Sequence, residues 1–309
     1  MDPTLVNRRQ VLKGAVAGAF AIWASPRVLT AQQAGAQKLT DKLAVLNAGG
    51  ANVVAFSTGD GLLLVDTGAP KSGDKLMSDL KNFANGAKVQ TVFNTHYHPD
   101  QTGNNELFAA AGAKIIAQAR TKQWMSTDLW VEAEDRYEKA RPMAARPTET
   151  FLTSGSLKTG AEQIDYGYLI LAHTAGDAYV YFKNANVLAV GDVASPLRDP
   201  ALDYFTGAWI GGRVDAMDTV LNITNDQTRI VPAYGPVMTK GEFKTERDLM
   251  EEVRARLFKQ VREGEGPKDM LEGGVMNGLP RTWKDPYKFL YDADKGLWAH
   301  HDKLDPNVV

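Results

Sequence analysis

Asn94-Thr95-His96-Tyr97-His98-Pro99-Asp100-Gln101-Thr102-Gly103-Asn104 decides how this chain is read. Two of the five histidines in 309 residues lie here, two positions apart, with a carboxylate two further on. The stretch follows Val89-Gln90-Thr91-Val92-Phe93, a β-branched and aromatic run that reads as a buried strand. Pro99 argues against a helix through the segment and pushes His98 toward extended backbone. In an extended chain, residues two apart share a side. His96, His98 and Asp100 are therefore expected to point one way and Gln101 the other. Two imidazoles and a carboxylate converging on one point make a metal-ligand set.

Working outward, Leu43 to Leu46, Val53 to Ser57 and Leu62 to Asp66 read as short strands. Thr58-Gly59-Asp60-Gly61 joins the last two as a hairpin turn. Lys71 to Phe83 has the spacing of an amphipathic helix, with Leu76, Leu80 and Phe83 on one face. After the histidine stretch, a helix is expected from Asn104 or Asn105 to Ala111, stopping at Gly112. Lys114 to Ala117 is a strand, and Ala119 to Lys139 is expected to be helical. Arg141 to Thr150 reads as a connector or lid.

The second half repeats the pattern. Tyr168 to Ala172 is expected as a strand ending at His173. Ala178 to Phe182, Val187 to Val190 and Arg229 to Pro232 are further strands. Val214 to Ile223 and Lys240 to Glu263 are helices. An aromatic tail (Trp283, Tyr287, Phe289, Leu290, Trp298) is expected to dock on the body or on a neighbouring subunit of a homo-oligomer. Strands interleaved with helices argue a layered α/β domain over residues 37–309. The histidine stretch, His173, Asp192 and Tyr234 each follow an apolar strand, and sites in layered α/β proteins gather beyond strand ends.

Composition narrows the function classes. The hydrophobic fraction is 44% and the charged fraction 23%, ordinary for a soluble globular chain. A formal charge of −2 without a long basic run gives nucleic acid or an anionic membrane no electrostatic support. The absence of cysteine excludes disulfides, thiolate ligands and a cysteine nucleophile. Residues 1–36 read as a cleavable export signal: Asn7-Arg8-Arg9-Gln10-Val11-Leu12-Lys13 precedes a small, apolar run from Gly14 to Ala24, too short to span a bilayer. The paired arginines resemble a twin-arginine signal, which implies periplasmic delivery of an already folded protein. Four positive charges and one negative lie in these residues, so removing them takes the formal charge from −2 to about −5.

The ordered motifs His96-x-His98-x-Asp100, Ala172-His173-Thr174-Ala175-Gly176-Asp177, Gly191-Asp192 and Pro232-Ala233-Tyr234-Gly235-Pro236 resemble the metallo-β-lactamase superfamily. Val65-Asp66-Thr67-Gly68 fits that family's early strand and turn. The resemblance covers about residues 40–240 and implies an αββα sandwich with metals at one edge between two sheets. It implies that His96, His98 and His173 hold one metal, with Asp192 as a carboxylate ligand. It also implies that Asp100 is a ligand of a second position. That second position departs from the family, because Gln101 and Tyr234 stand where histidines are usual. One Zn²⁺ is therefore favoured over two, with iron as the alternative. Asp66 is expected to support the ligands rather than bind metal. His300 and His301 are expected at the surface.

The function this implies is hydrolysis of an ester, lactone, amide or related bond of a small molecule by a metal-activated water. Asp100 is expected to orient the water and pass its proton on. Tyr234, and Asn104 or Asn105, are expected as oxyanion donors. Two alternatives stand beside it: an oxygen-using mononuclear iron enzyme on the same fold, and a member that binds a metal or ligand without turnover.

Overall fold

The computed structural model describes residues 36–131 and 135–300. The export signal read at 1–36, with its small-residue cleavage region around Ala31 to Ala36, lies outside these residues except for Ala36, and so does His301.

A seven-stranded sheet begins with β1 (Gln37–Lys38), β2 (Leu43–Ala48), β3 (Ala51–Ser57), β4 (Leu62–Val65), β5 (Val89–Asn94) and β6 (Lys114–Gln118). A separate ladder of β7 (Leu129–Val131) and β8 (Arg136–Glu138) interrupts it before β9 (Glu149–Phe151) adds to the edge beside β6. A six-stranded sheet follows in simple chain order: β10 (Ser154–Thr159), β11 (Glu162–Tyr168), β12 (Ala178–Phe182), β13 (Val187–Gly191), β14 (Arg229–Pro232) and β15 (Met238–Thr239). The pairs β4–β5, β5–β6, β6–β9 and β13–β14 are parallel; the others are antiparallel. The helices are α1 (Gly73–Ala84), α2 (Pro99–Thr102), α3 (Asn105–Ala110), α4 (Ala119–Met125), α5 (Ile210–Ile223), α6 (Lys240–Arg262), α7 (Pro267–Glu272) and α8 (Pro286–Ala299).

The period-two geometry of strands builds the layers. Every residue of β4 is buried, yet alternate side chains enter different cores. Leu63 and Val65 join Leu43, Val45, Val54 and Phe56 against Ile164, Val180 and Phe182 of the other sheet. Leu62 and Leu64 face the opposite way, onto Leu76 and Leu80 of α1 and Phe108 of α3. The outer face of the second sheet, through Leu188 and Ile230, packs on α5, α6 and α8. The order is helices, sheet, sheet, helices, as the family resemblance implies. The aromatic tail docks on the body: α8 buries Phe289, Leu290 and Leu297 in that outer core and leaves Tyr287 and Trp298 half exposed.

Four local expectations are corrected. Pro99 does not forbid a helix; it opens α2 from the first helical position, where its missing N–H costs nothing. Helix α4 stops at Met125 instead of reaching Lys139. The Ser126 and Thr127 hydroxyls donate back to the carbonyls of Lys122 and Gln123. Asp128 then accepts from the Tyr137 hydroxyl and the Ala140 N–H, which pins the β7–β8 hairpin with Trp130 opposite Tyr137. The expected strand at Tyr168–Ala172 is instead the end of β11; the chain leaves the sheet there, and Leu171 adopts a φ of 51°. The β10–β11 pair was not anticipated, because Ser154–Thr159 is polar and has no apolar run.

Candidate metal centre

The site forms where the two sheets are stitched together. Beyond β5, the Thr95 carbonyl accepts from Ala178 N at 2.8 Å, and Ala233, beyond β14, accepts from Asn52 N at 2.8 Å. The Asn52 amide also donates to the Pro232 and Gly235 carbonyls. These bonds fix the loops that carry His96 and His98, His173 and Tyr234, and the Ala233 N–H donates to the Gly191 carbonyl at 2.9 Å, which ties in the loop of Asp192. His98 remains extended (φ −60°, ψ 147°) and caps α2. Gly191 ends β13 at φ 58°, and a Cβ there would stand 2.7 Å from Thr95 Oγ1 and 3.4 Å from His96 Nδ1. Only glycine lets the strand pass so close to the histidine.

One nitrogen from each of His96, His98 and His173 lies within 4.8 Å of the others. The remaining ring nitrogens are held from behind. His96 Nδ1 is 3.1 Å from Thr95 Oγ1, whose hydroxyl donates to Asp66 Oδ2 at 2.8 Å, so Nδ1 carries the proton and Nε2 faces inward. His173 Nδ1 donates to the Ala201 carbonyl at 2.9 Å. His98 Nε2 is 3.1 Å from Asp203 Oδ2, and its Nδ1 faces His173 Nε2 at 3.0 Å. His96 Nε2 is buried with no partner. A buried nitrogen left unpaired is costly. Tetrahedral zinc, with bonds of about 2.0–2.1 Å, needs ligand atoms roughly 3.3–3.4 Å apart. The donor set suits such an ion, and the His98 Nδ1–His173 Nε2 separation of 3.0 Å is close to that spacing.

The electrostatics favour ligand chemistry at two of the three rings. Burial, then the neighbouring His173 and His98, hold His96 well below its ordinary value; burial and His98 push His173 down to about 3. Both rings are neutral and keep a lone pair. Burial is the largest influence on His98 and pushes it down, but the carboxylates of Asp203, Asp100 and Asp192 together turn the net shift upward. Burial raises Asp192 to about 6, opposed chiefly by the Arg198 guanidinium.

The other expected residues fall into place around this triad. Asp192 Oδ2 lies 3.9 Å from His96 Nε2 and 3.7 Å from His173 Nε2. Asp100 is not part of the histidine group: the turn of α2 takes it out of the extended alternation, and its Oδ2 accepts the Tyr234 hydroxyl and faces Arg198 at 3.5 Å. Gln101 is fully buried, with both amide atoms unpartnered. Asp66 accepts from the Thr95 N–H and hydroxyl, the supporting role expected of it. Asn104 and Asn105 are not free as oxyanion donors. The Asn104 amide donates to the Thr67 and Ala69 carbonyls, and that of Asn105 to Asn94 Oδ1 and the Ala145 carbonyl. His300 stacks on Trp209 and faces the Gly207 carbonyl, away from the triad.

Three contributors escaped the sequence: Thr95, Asp203 and Arg198. Asp203 accepts from the buried Tyr97 hydroxyl as well as facing His98, and its own N–H donates to the His173 carbonyl at 2.9 Å. It therefore ties two histidines separated by 75 positions. Asp203 and Arg198 lie in the irregular 193–209 stretch, where no periodicity marks a residue's direction.

The sequence profile of the metallo-beta-lactamase superfamily matches residues 46–235. Metallo-beta-lactamase IND-1 of Chryseobacterium indologenes is 28% identical over 184 residues, 60% of this chain and 71% of the relative. Metallo-beta-lactamase type 2 of Bacillus cereus is 24% identical over 204 residues, 64% of this chain and 72% of the relative. Among solved structures, a metallo-beta-lactamase from Pontibacter korlensis superposes with a TM-score of 0.57 at 20% identity, over 70% of this chain and 98% of that one. The stereoselective inverting sec-alkylsulfatase Pisa1 from Pseudomonas sp. superposes with a TM-score of 0.63 at 13% identity, over 88% of this chain and 52% of its own.

Proposed function

The chain belongs to the metallo-β-lactamase superfamily, and on that premise we propose that it is a metal-dependent hydrolase of a small-molecule ester, lactone, amide or related bond. The observation that carries this is the set of three converging ring nitrogens of His96, His98 and His173, that of His96 buried and unpaired. A divalent ion bound there would acidify a water and polarise the scissile bond's oxygen. Zinc suits three imidazoles with an open position, and the altered residues Gln101 and Tyr234 favour one ion over two. Iron is the alternative.

The protein's own residues would divide the remaining work. Asp192 supplies a carboxylate beside the triad. Tyr234 and Arg198 engage Asp100 through Oδ2, which leaves Oδ1 to orient the attacking water and pass its proton to the leaving group. The substrate panel follows from the comparisons: lactams, because named relatives are lactamases, and sulfate esters, because the alkylsulfatase covers most of this chain. Export rests on the paired Arg8 and Arg9, and it would place the enzyme in the periplasm. No helix among the described residues is long and apolar enough to cross a membrane.

The test is elemental analysis of protein purified without chelator, followed by turnover on lactams, lactones, thioesters and sulfate esters. His96→Ala and His173→Ala are expected to lose both metal and turnover. A metal-free variant with full activity would refute the proposal, and oxygen uptake by an iron-loaded protein would favour the oxidative alternative.

A further inference from the structure

The side of the triad that departs from the family carries an unexpected positive charge. Arg198 places its Nη2 3.5 Å from Asp100 Oδ2 and 3.6 Å from Asp192 Oδ2, between the two carboxylates. Its guanidinium carbon stands 3.1 Å from the centre of the Tyr234 ring, so it lies over the ring face. The hydroxyl of that tyrosine donates to the same Asp100 oxygen that Arg198 faces. The position is held from the other side as well. Arg281 donates to the carbonyls of Ser195 and Arg198 itself, which pins the backbone of the loop. Two adjacent buried or half-buried carboxylates repel unless a cation lies between them. Here an arginine supplies that cation from within the chain, on a platform made by the residue that replaces a histidine.

We infer that Arg198 is the site's second cation: its guanidinium neutralises Asp100 and Asp192 and restricts the centre to one metal ion. The inference rests on the triad binding a metal, as proposed above, and gives a physical reason for the altered second position. Gln101 and Tyr234 are then the two halves of one exchange. The nitrogen ligands of a second metal are replaced by a neutral amide and by an aromatic face that an arginine covers. A guanidinium cannot lose its proton near neutral pH and cannot be removed by a chelator. The charge it provides is therefore permanent, unlike that of an exchangeable ion.

The test measures zinc stoichiometry and affinity by competition with a chromogenic chelator, in the parent protein and in Arg198→Met, Arg198→Lys and His96→Ala. Methionine keeps an apolar stem over Tyr234 without the charge, and lysine keeps the charge. Circular dichroism checks that each variant is folded. The parent is expected to bind one zinc ion per chain, and Arg198→Lys to do the same. Arg198→Met is expected to take up a second ion, or to bind its single ion about tenfold or more tighter, because a repelling charge is gone. Two ions bound tightly by the parent would overturn the inference. One ion with unchanged affinity in Arg198→Met would overturn it too, while loss of that ion in His96→Ala would leave the triad intact. Zinc uptake indifferent to His96→Ala would instead sink the triad, and this inference with it.

Discussion

Asp203→Ala probes the scaffold behind the triad. Asp203 Oδ2 is 3.1 Å from His98 Nε2, and the carboxylate is the partner that holds that ring with Nδ1 turned inward. Removing the partner behind a metal-ligating histidine costs about 10–100-fold in metal affinity. That is roughly 1.4–2.8 kcal/mol at about 1.4 kcal/mol per tenfold. The same substitution strips the acceptor from the Tyr97 hydroxyl, which belongs to a side chain only 3% exposed. Leaving that donor unpaired adds a cost to folding of about 1–3 kcal/mol. The two effects separate with Tyr97→Phe, which removes the hydroxyl and leaves the His98–Asp203 contact. Zinc affinity is read by chelator competition at neutral pH and fixed ionic strength, and stability by urea unfolding of the metal-free proteins. Asp203→Ala is expected to weaken zinc by at least tenfold and to destabilise the metal-free fold. Tyr97→Phe is expected to keep zinc affinity within about threefold. Parent-like zinc binding in Asp203→Ala would refute the reasoning, as would an equal loss in Tyr97→Phe.

Gly191→Ala forces a side chain onto a φ of 58° and against Thr95 Oγ1, so both zinc affinity and the unfolding midpoint are expected to fall, as the same two assays would show. Phe182 is fully buried between the sheets with its ring 5.4 Å from that of Phe56; Phe182→Ala should cost about 3–5 kcal/mol in urea unfolding, with the metal-free protein as sensitive as the loaded one. Asp294 on α8 is raised above its ordinary value of 3.8 by burial, and its Oδ1 has no partner. A carboxyl that holds its proton more tightly folded than unfolded favours the fold when protonated and loses that contribution as pH rises from the ordinary carboxylate value upward. Asp294→Asn is therefore expected to be more stable than the parent at neutral pH, with the gain shrinking toward the acid limb. A gain that grows on acidification would contradict the sign.

Much of the site was legible because its residues carry their own local grammar. His96 and His98 follow a strand, and Pro99 keeps His98 extended, so their relative placement needs only backbone geometry. Asp100 departs from strand alternation because α2 begins at Pro99, so its direction is set by a helical turn and by Tyr234 and Arg198, which it meets beside the triad. Asn104 and Asn105 looked available because nothing local shows that Thr67, Ala69, Asn94 and Ala145 would take up their amides. The same limit applied to Ala119–Lys139, where helical spacing gave way to a hairpin stapled by Asp128.

By itself the sequence determined the layered fold and the pairing of His96 with His98, since strand period, proline placement and ligand chemistry are properties of neighbouring residues; the third imidazole, His173, was picked out as a ligand only by the family resemblance of the ordered motifs. Tertiary structure alone decided that Asp203 stands behind His98, and that Arg198 lies between Asp100 and Asp192. The His98–Asp203 and Asp100–Arg198 contacts join positions 105 and 98 residues apart through a loop without periodicity, so only the closing of one sheet on the other could bring their charges together.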